Sequence, residues 1–203
     1  MVAAKSDGGN GRHRRRGQAL EAAILRAAWE ELQAVGYRDL SADGVAARAG
    51  TSKAVLYRRW RNRAQLVMAA LRAERPMLSG PVPDTGSLRG DVLALLCRVQ
   101  EGVNEIGIET LIGLLQELYE DPGLEGFLRA DNAGEQAMTA ILEAAGRRGE
   151  LDPTLINPRV ATLPVDLVRH EMLVTRAPVP DAVLVEIVDQ IFLPLVLSVA
   201  RKP

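Results

Sequence analysis

Apolar residues at Leu20, Ile24, Ala27, Ala28, Leu32 and Val35 keep the three- and four-residue spacing of one helix face. The spacing predicts a helix from Gly17 to Val35, with Gly36 as the left-handed residue that stops it. Ser41 then stands as the cap of a second helix through Val45, Ala46 and Ala49, and Gly50 makes a turn. A third, short helix runs from Ser52 or Lys53 to Arg59. Asn62 caps a fourth, through Leu66, Val67, Ala70 and Leu71 towards Pro76. Two short helices joined by a Gly-containing turn are the helix-turn-helix pattern, whose second helix enters the DNA major groove.

Residues 79–87 (SGPVPDTGS) have the composition of a linker. Helical spacing resumes with Val92, Leu95, Leu96 and Val99, and again with Leu111, Ile112, Leu115 and Leu118. Asp121 and Pro122 open a long helix that Gly149 ends. Asn157 and Pro158 open another, kinked or interrupted at Pro164. Asp181 starts the last, which Pro194 bends or ends. No period-two alternation bounded by hairpin turns occurs, so the expected fold is all-α. It comprises an N-terminal three-helix helix-turn-helix domain and a larger C-terminal helical domain for ligand binding and dimerisation. The expected divisions are a disordered basic arm over 1–16, a DNA-binding domain with its connecting fourth helix over 17–75, and the C-terminal domain over 76–203.

Charge sharpens the first half of this picture. The whole chain has 25 basic and 26 acidic side chains, which says nothing about nucleic acid. Residues 1–75, however, hold 15 basic against 7 acidic, net +8, and residues 76–203 hold 10 against 19, net −9. No Asp or Glu occurs from Gly44 to Ala73, a stretch carrying Arg48, Lys53, Arg58, Arg59, Arg61, Arg63 and Arg72. Cations there suit phosphates, and double-stranded DNA is the expected partner. In the arm, Arg12, Arg14, Arg15 and Arg16 suit either a minor groove or non-specific phosphate attraction.

Other chemistry is sparsely supplied. The single Cys97 excludes an internal disulfide and reads as a small buried hydrophobe. Two histidines, His13 and His170, are too few for a His-rich metal site, and no metal or cofactor is expected. No Gly-rich phosphate loop, His-Glu-x-x-His or nucleophile elbow occurs, so no enzyme activity is expected. The N-terminus has no apolar run of a signal peptide, and the run at 191–200 is about half a membrane span. A cytoplasmic protein without membrane contact is expected.

The residues from Gln18 to Leu71 resemble the TetR (tetracycline-repressor) family of one-component bacterial regulators. The resemblance lies in Gly36-Tyr37, in Val45-Ala46 with Ala49-Gly50, in the run Ser52 to Trp60, and in Arg61-Asn62-Arg63. Residues 84–96 and 121–131 are similar to one large subgroup. The resemblance implies an all-helical homodimer of about nine helices per subunit. It also implies a small-molecule pocket in the C-terminal domain and an operator of two-fold symmetry. Lys53, Ala54 and Val55 match positions that read base edges, while Tyr57, Arg59 and Arg63 match positions that hold phosphate. Ser52 joins the phosphate set, and Arg58 suits either role. Leu56 and Trp60, four apart, are expected in the core. Ala42 and Asp43 depart from the family pattern: Asp43 repels phosphate and suits the dipole of its own helix instead. Gly44 weakens that helix by up to about 1 kcal/mol relative to Ala.

The last helix is apolar almost all round, so it must be covered on more than one side. A homodimer supplies the second cover, with Leu184, Ile187, Val188 and Ile191 expected in the interface. Aromatic residues are only 3 per cent of the chain, too few for an aromatic cage around a cation. An apolar or amphipathic effector in an aliphatic pocket is expected instead. Its candidate polar anchors are Glu101, Asn104, Gln116, Asp166, Arg169 and His170. The expected function is a repressor released from its operator by that effector. The alternative is a DNA-binding or architectural protein without one, controlled by a protein partner.

Overall fold

The computed structural model describes residues 9–74, 80–120 and 133–200, with only the backbone described for 9–16, 118–120 and 133. The chain divides into two compact units, 1–75 and 76–203. Among the described residues every regular element is helical.

The first unit holds α1 (Gly9–Asp39), α2 (Ala42–Arg48), α3 (Lys53–Tyr57) and α4 (Arg63–Glu74). Helix α1 begins eight residues earlier than the expected Gly17, so 9–16 continue the helix rather than form a disordered arm. Arginine is a good helix former and no proline interrupts the run. Residues 1–8 of the expected arm lie outside the described residues. Gly36 breaks α1 at φ 75°, as its position predicts, and lets Tyr37 and Leu40 turn into the core. Ile24, Ala28, Leu32, Val45, Leu56, Leu66, Val67 and Ala70 fill that core.

The second unit holds α5 (Leu88–Ile106), α6 (Ile108–Glu120), α7 (Ala133–Arg147), a 3-10 turn at Pro153–Leu155, α8 (Pro158–Thr175) and α9 (Asp181–Ala200). The expected start of the α7 helix at Asp121-Pro122 lies outside the described residues. Pro164 sits inside α8 without ending it; its missing N–H removes one rung of the ladder, and its buried ring packs inward. The segment leading into α5 is clamped by charge. The fully buried Asp91 carboxylate accepts from Thr85 N at 2.5 Å, Thr85 Oγ1 at 2.8 Å and Arg148 Nη2 at 2.8 Å. Glu150 accepts from Arg148 Nε at 2.6 Å and from Leu88 N at 2.8 Å. A buried carboxylate needs such a set, because an unmet charge there is costly.

Helix α9 is continuous over twenty residues, longer than the apolar run at 191–200, and is long and apolar enough to cross a membrane by length and composition. It packs here as a core helix. Leu184, Ile187, Val188, Phe192, Val196 and Ala200 join Val92, Leu95, Leu96, Met138, Ile141 and Val168 in one cluster. Residues Ile187–Phe192 form a π segment, in which Leu193 N bonds to Val188 O. Pro194 explains it: proline clashes with the carbonyl four residues back, and a wider turn relieves the clash.

Candidate nucleic-acid interface

The turn between α2 and α3 follows from Gly50. At φ 63° it adopts the left-handed conformation that ends α2. Thr51 N then bonds to Ala46 O at 2.9 Å and Gly50 N to Ala47 O at 3.2 Å, the paired bonds of a Schellman cap. Ser41 Oγ caps α2 by accepting from Gly44 N at 3.0 Å, and Asn62 Oδ1 caps α4 by accepting from Gln65 N at 2.9 Å. Both caps stand where the sequence puts them. Leu56, fully buried, holds α3 against the rest of the unit, and Trp60 is half-buried.

Around that anchor α3 offers an exposed face. Ser52, Lys53, Ala54, Tyr57 and Arg58 are exposed, and Val55 is half-buried. The Ser52 hydroxyl makes no cap bond to its helix. Two of the four expected phosphate residues are turned inward. Arg59 leans on α1, with Nε 3.9 Å from Glu21 Oε2 and a buried Nη1. The Arg63 guanidinium lies 4.5 Å from the Tyr37 ring centroid and donates to Arg38 O at 3.2 Å. Its position fixes the end of α1 against the start of α4.

Two pairs were not legible in the sequence. Glu31 of α1, nearly buried, accepts from Arg48 Nε at 3.1 Å and Nη2 at 2.8 Å. A Cβ on Gly44 would overlap the Glu31 carboxylate, so the glycine that weakens α2 also makes room for this pair. Lys53 Nζ lies 2.8 Å from Asp43 Oδ2. Asp43, by hydrogen bond and then by charge, pushes the Lys53 ammonium above its ordinary value. Asp43 therefore serves Lys53 as well as the first turn of α2.

In the second unit all six expected anchors are exposed. Asp166 and Arg169, paired at 3.0 Å, share a polar groove of about 340 Å³ with Glu135, Arg159, Thr162 and Val165. Glu101, Asn104, Gln116 and His170 lie outside that groove. Asn104 instead accepts from Gln100 Nε2 at 3.0 Å, while Gln100 Oε1 accepts from Val179 N at 3.0 Å. The expected interface residues also need correction. Leu184, Ile187 and Val188 are buried within the protomer's own core, because α5 and α8 cover that side of α9. Ile191, 41 per cent exposed, is the one of the four that faces outward.

A small helical unit that presents one short, basic, exposed helix after a glycine turn defines a helix-turn-helix DNA-binding protein. The comparisons with known proteins place it further. Residues 24–70 match the model of bacterial regulatory proteins of the tetR family, and residues 82–191 match a tetracyclin repressor-like C-terminal domain. The chain is 31 per cent identical over 188 residues to a DNA-binding transcriptional repressor TetR of Mycobacteroides abscessus, covering 92 per cent of this chain and 98 per cent of that one. It is 34 per cent identical over 182 residues to an uncharacterised HTH-type transcriptional regulator of Mycobacterium tuberculosis, covering 86 per cent of each. A solved structure of the fatty acid degradation regulator FadR from Bacillus halodurans is similar with TM-score 0.48 and 17 per cent identity, covering 93 per cent of this chain and 97 per cent of that one. The chain belongs to the TetR family of DNA-binding transcriptional regulators.

Proposed function

We propose that the protein is a cytoplasmic, homodimeric repressor that holds a palindromic operator and is released by an apolar or amphipathic small molecule. The carrying observation is the exposed face of α3 over the buried Leu56. Lys53, Ala54 and Arg58 are in position to meet base edges in a major groove, with Val55 at the margin. Ser52 and Tyr57 reach phosphates directly, and Arg63 supports that contact by holding α4.

The dimer reading rests on α9. Ile191, Pro194 and Val199 are exposed and Leu195 is half-buried, at helical spacing along one outward side. A second copy covers that stripe. Two recognition helices related by a two-fold axis then meet half-sites about 34–36 Å apart or a multiple of it.

The effector reading is separable. A regulator controlled by a protein partner is favoured by the exposure of all six expected anchors and of Val174. One series of measurements tests both readings. Light scattering reports the dimer. Fluorescence anisotropy on duplexes selected from a random library reports operator binding, with a log–log salt slope of about 0.9 per phosphate met. A thermal-shift screen of apolar metabolites reports an effector as a concentration-dependent rise in melting temperature. A monomer refutes the dimer reading, and salt-independent DNA affinity refutes the DNA reading. A protein that binds its operator yet answers no small molecule refutes the effector reading alone.

A further inference from the structure

The basic face of the first unit carries a carboxylate that its packing does not require. Asp43 stands in the first turn of α2 with its side chain 72 per cent exposed, and its partner Lys53, 49 per cent exposed, opens α3. An ion pair so open to water contributes little to folding. A carboxylate close to incoming phosphates opposes association. No other acid follows until Glu74, so this charge runs against the basic character of that stretch. Its one specific contact is the 2.8 Å bond to Lys53, next to the exposed Ser52 and Ala54.

We infer that Asp43 and Lys53 read one G·C base pair together, and that Asp43 sets which strand carries the guanine. The inference rests on the major-groove docking of α3 proposed above. An ammonium only donates and a carboxylate only accepts. In the major groove guanine offers O6 and N7 as acceptors, and its partner cytosine offers the N4 amino group as donor. Guanine O6 and cytosine N4 are joined by a base-pair hydrogen bond, so they lie about 2.9 Å apart. Lys53 Nζ and Asp43 Oδ2 have nearly the same separation, 2.8 Å. The intact ion pair therefore matches the edge of one G·C pair. Lys53 donates to O6 and N7 while Asp43 accepts from N4.

Reversing the base pair brings an acceptor to Asp43 and a donor to Lys53, and both contacts are lost. An A·T pair separates its two acceptors by the adenine amino group, so Lys53 gains one acceptor where guanine offers two adjacent ones. Lys53 alone, on a flexible four-carbon stem, reaches acceptors on either strand. Asp43 is the residue that gives it direction, and the weaker overall attraction to DNA is the cost of that specificity.

The test uses full-length wild type, Asp43→Ala, Asp43→Asn, Lys53→Ala and the Asp43→Ala/Lys53→Ala double variant. Each selects sites from a random duplex library. Anisotropy then measures affinity for the wild-type site with the assigned position set to G·C, C·G, A·T or T·A. Wild type is expected to prefer G·C at one position per half-site by roughly tenfold. Asp43→Ala should bind all duplexes more tightly, lose the strand preference at that position, and keep the rest of the motif. Asp43→Asn should move the preference towards adenine, because an amide pairs with N6 and N7. The double variant should lose no more strand preference at that position than Asp43→Ala, and should lose in addition the G·C-over-A·T preference that Lys53 alone keeps. General tightening with the preference intact overturns the inference and leaves Asp43 as a charge that only weakens binding. Loss of preference across the whole motif, or a lowered melting temperature in Asp43→Asn, overturns it in favour of a packing role. A wild type that selects no sequence removes the DNA-binding reading itself, and is distinguishable from both.

Discussion

Gly44→Ala should destabilise the first unit, against the rule for helices. In an exposed helix interior the change stabilises by up to about 1 kcal/mol, because alanine loses less backbone entropy. Here the added Cβ overlaps the Glu31 carboxylate and also meets Ser41 Oγ at 3.2 Å. The carboxylate must move, and its two bonds to Arg48 go with it. The Glu31 side chain is 12 per cent exposed, so water repairs little of that loss, whereas Arg48 is 39 per cent exposed and recovers most of its solvation. A displaced, poorly satisfied carboxylate costs about 1–3 kcal/mol. The net expectation is therefore a loss of about 1–2 kcal/mol. Both tryptophans, Trp29 and Trp60, lie in the first unit, so urea unfolding followed by their fluorescence reports that unit within the full chain. With an m-value of about 1–3 kcal/mol per molar, the midpoint should fall by about 1 M. The deciding comparison is the background. With Glu31→Ala already made, only the Ser41 hydroxyl at 3.2 Å still crowds the Cβ, and Gly44→Ala should lose its destabilising effect or stabilise by up to about 1 kcal/mol. Stabilisation in the wild-type background, or the same change in both backgrounds, would refute the argument that Glu31 dictates the glycine.

Arg63→Ala should lower the urea midpoint of the first unit as well as weaken DNA binding, whereas a purely phosphate-binding arginine would change affinity alone. Parallel unfolding and anisotropy measurements separate these outcomes. Ile191→Glu should give a folded monomer by light scattering and circular dichroism, while Leu184→Glu should unfold the second unit, since a carboxylate at a fully buried site is uncompensated; equal effects of the two would contradict the division of α9 into inner and outer sides. Burial, then the charges of Asp181 and Glu101, push the Cys97 thiol above its ordinary value. Native protein at neutral pH should therefore react slowly with a thiol reagent and rapidly once unfolded in urea, and rapid native labelling would count against that.

The first unit was legible where a single residue controls a local event. Gly36 and Gly50 supply positive φ, and Ser41 and Asn62 cap the helices that follow them. Leu56 was readable as core because its spacing sets it apart from the cations around it. What was not legible depends on partners distant in sequence. Glu31 determines Gly44 from the preceding helix, and Tyr37 with Arg38 captures Arg63 from across the α1–α2 turn. The identity of Arg63 suggests phosphate equally well in either case. Asn104 misled for the same reason: an exposed amide on an otherwise apolar helix suits a ligand, but here it serves Gln100, which in turn holds Val179.

Helix α9 shows the limit of periodicity most clearly. Its apolar residues called for cover on two sides, and the buried set keeps a four-residue interval through Leu184, Val188, Phe192, Val196 and Ala200. In a straight α-helix of 3.6 residues per turn, each such step rotates the side chain by about 40°. Four steps, about 160°, would carry Ala200 almost to the face opposite Leu184. The π segment at Ile187–Phe192 turns less per residue, and so brings the later residues back to the core side. Pro194 thus has a consequence beyond a local bend. It sets the register that keeps Phe192, Val196 and Ala200 inside and leaves Ile191, Leu195 and Val199 to the outer side. Read with a constant helical period, Ile191 falls on the same face as Leu184, Ile187 and Val188, about 20° from Leu184. The wider turn moves Ile191 off that face, and the outward stripe then runs through Ile191, Leu195 and Val199.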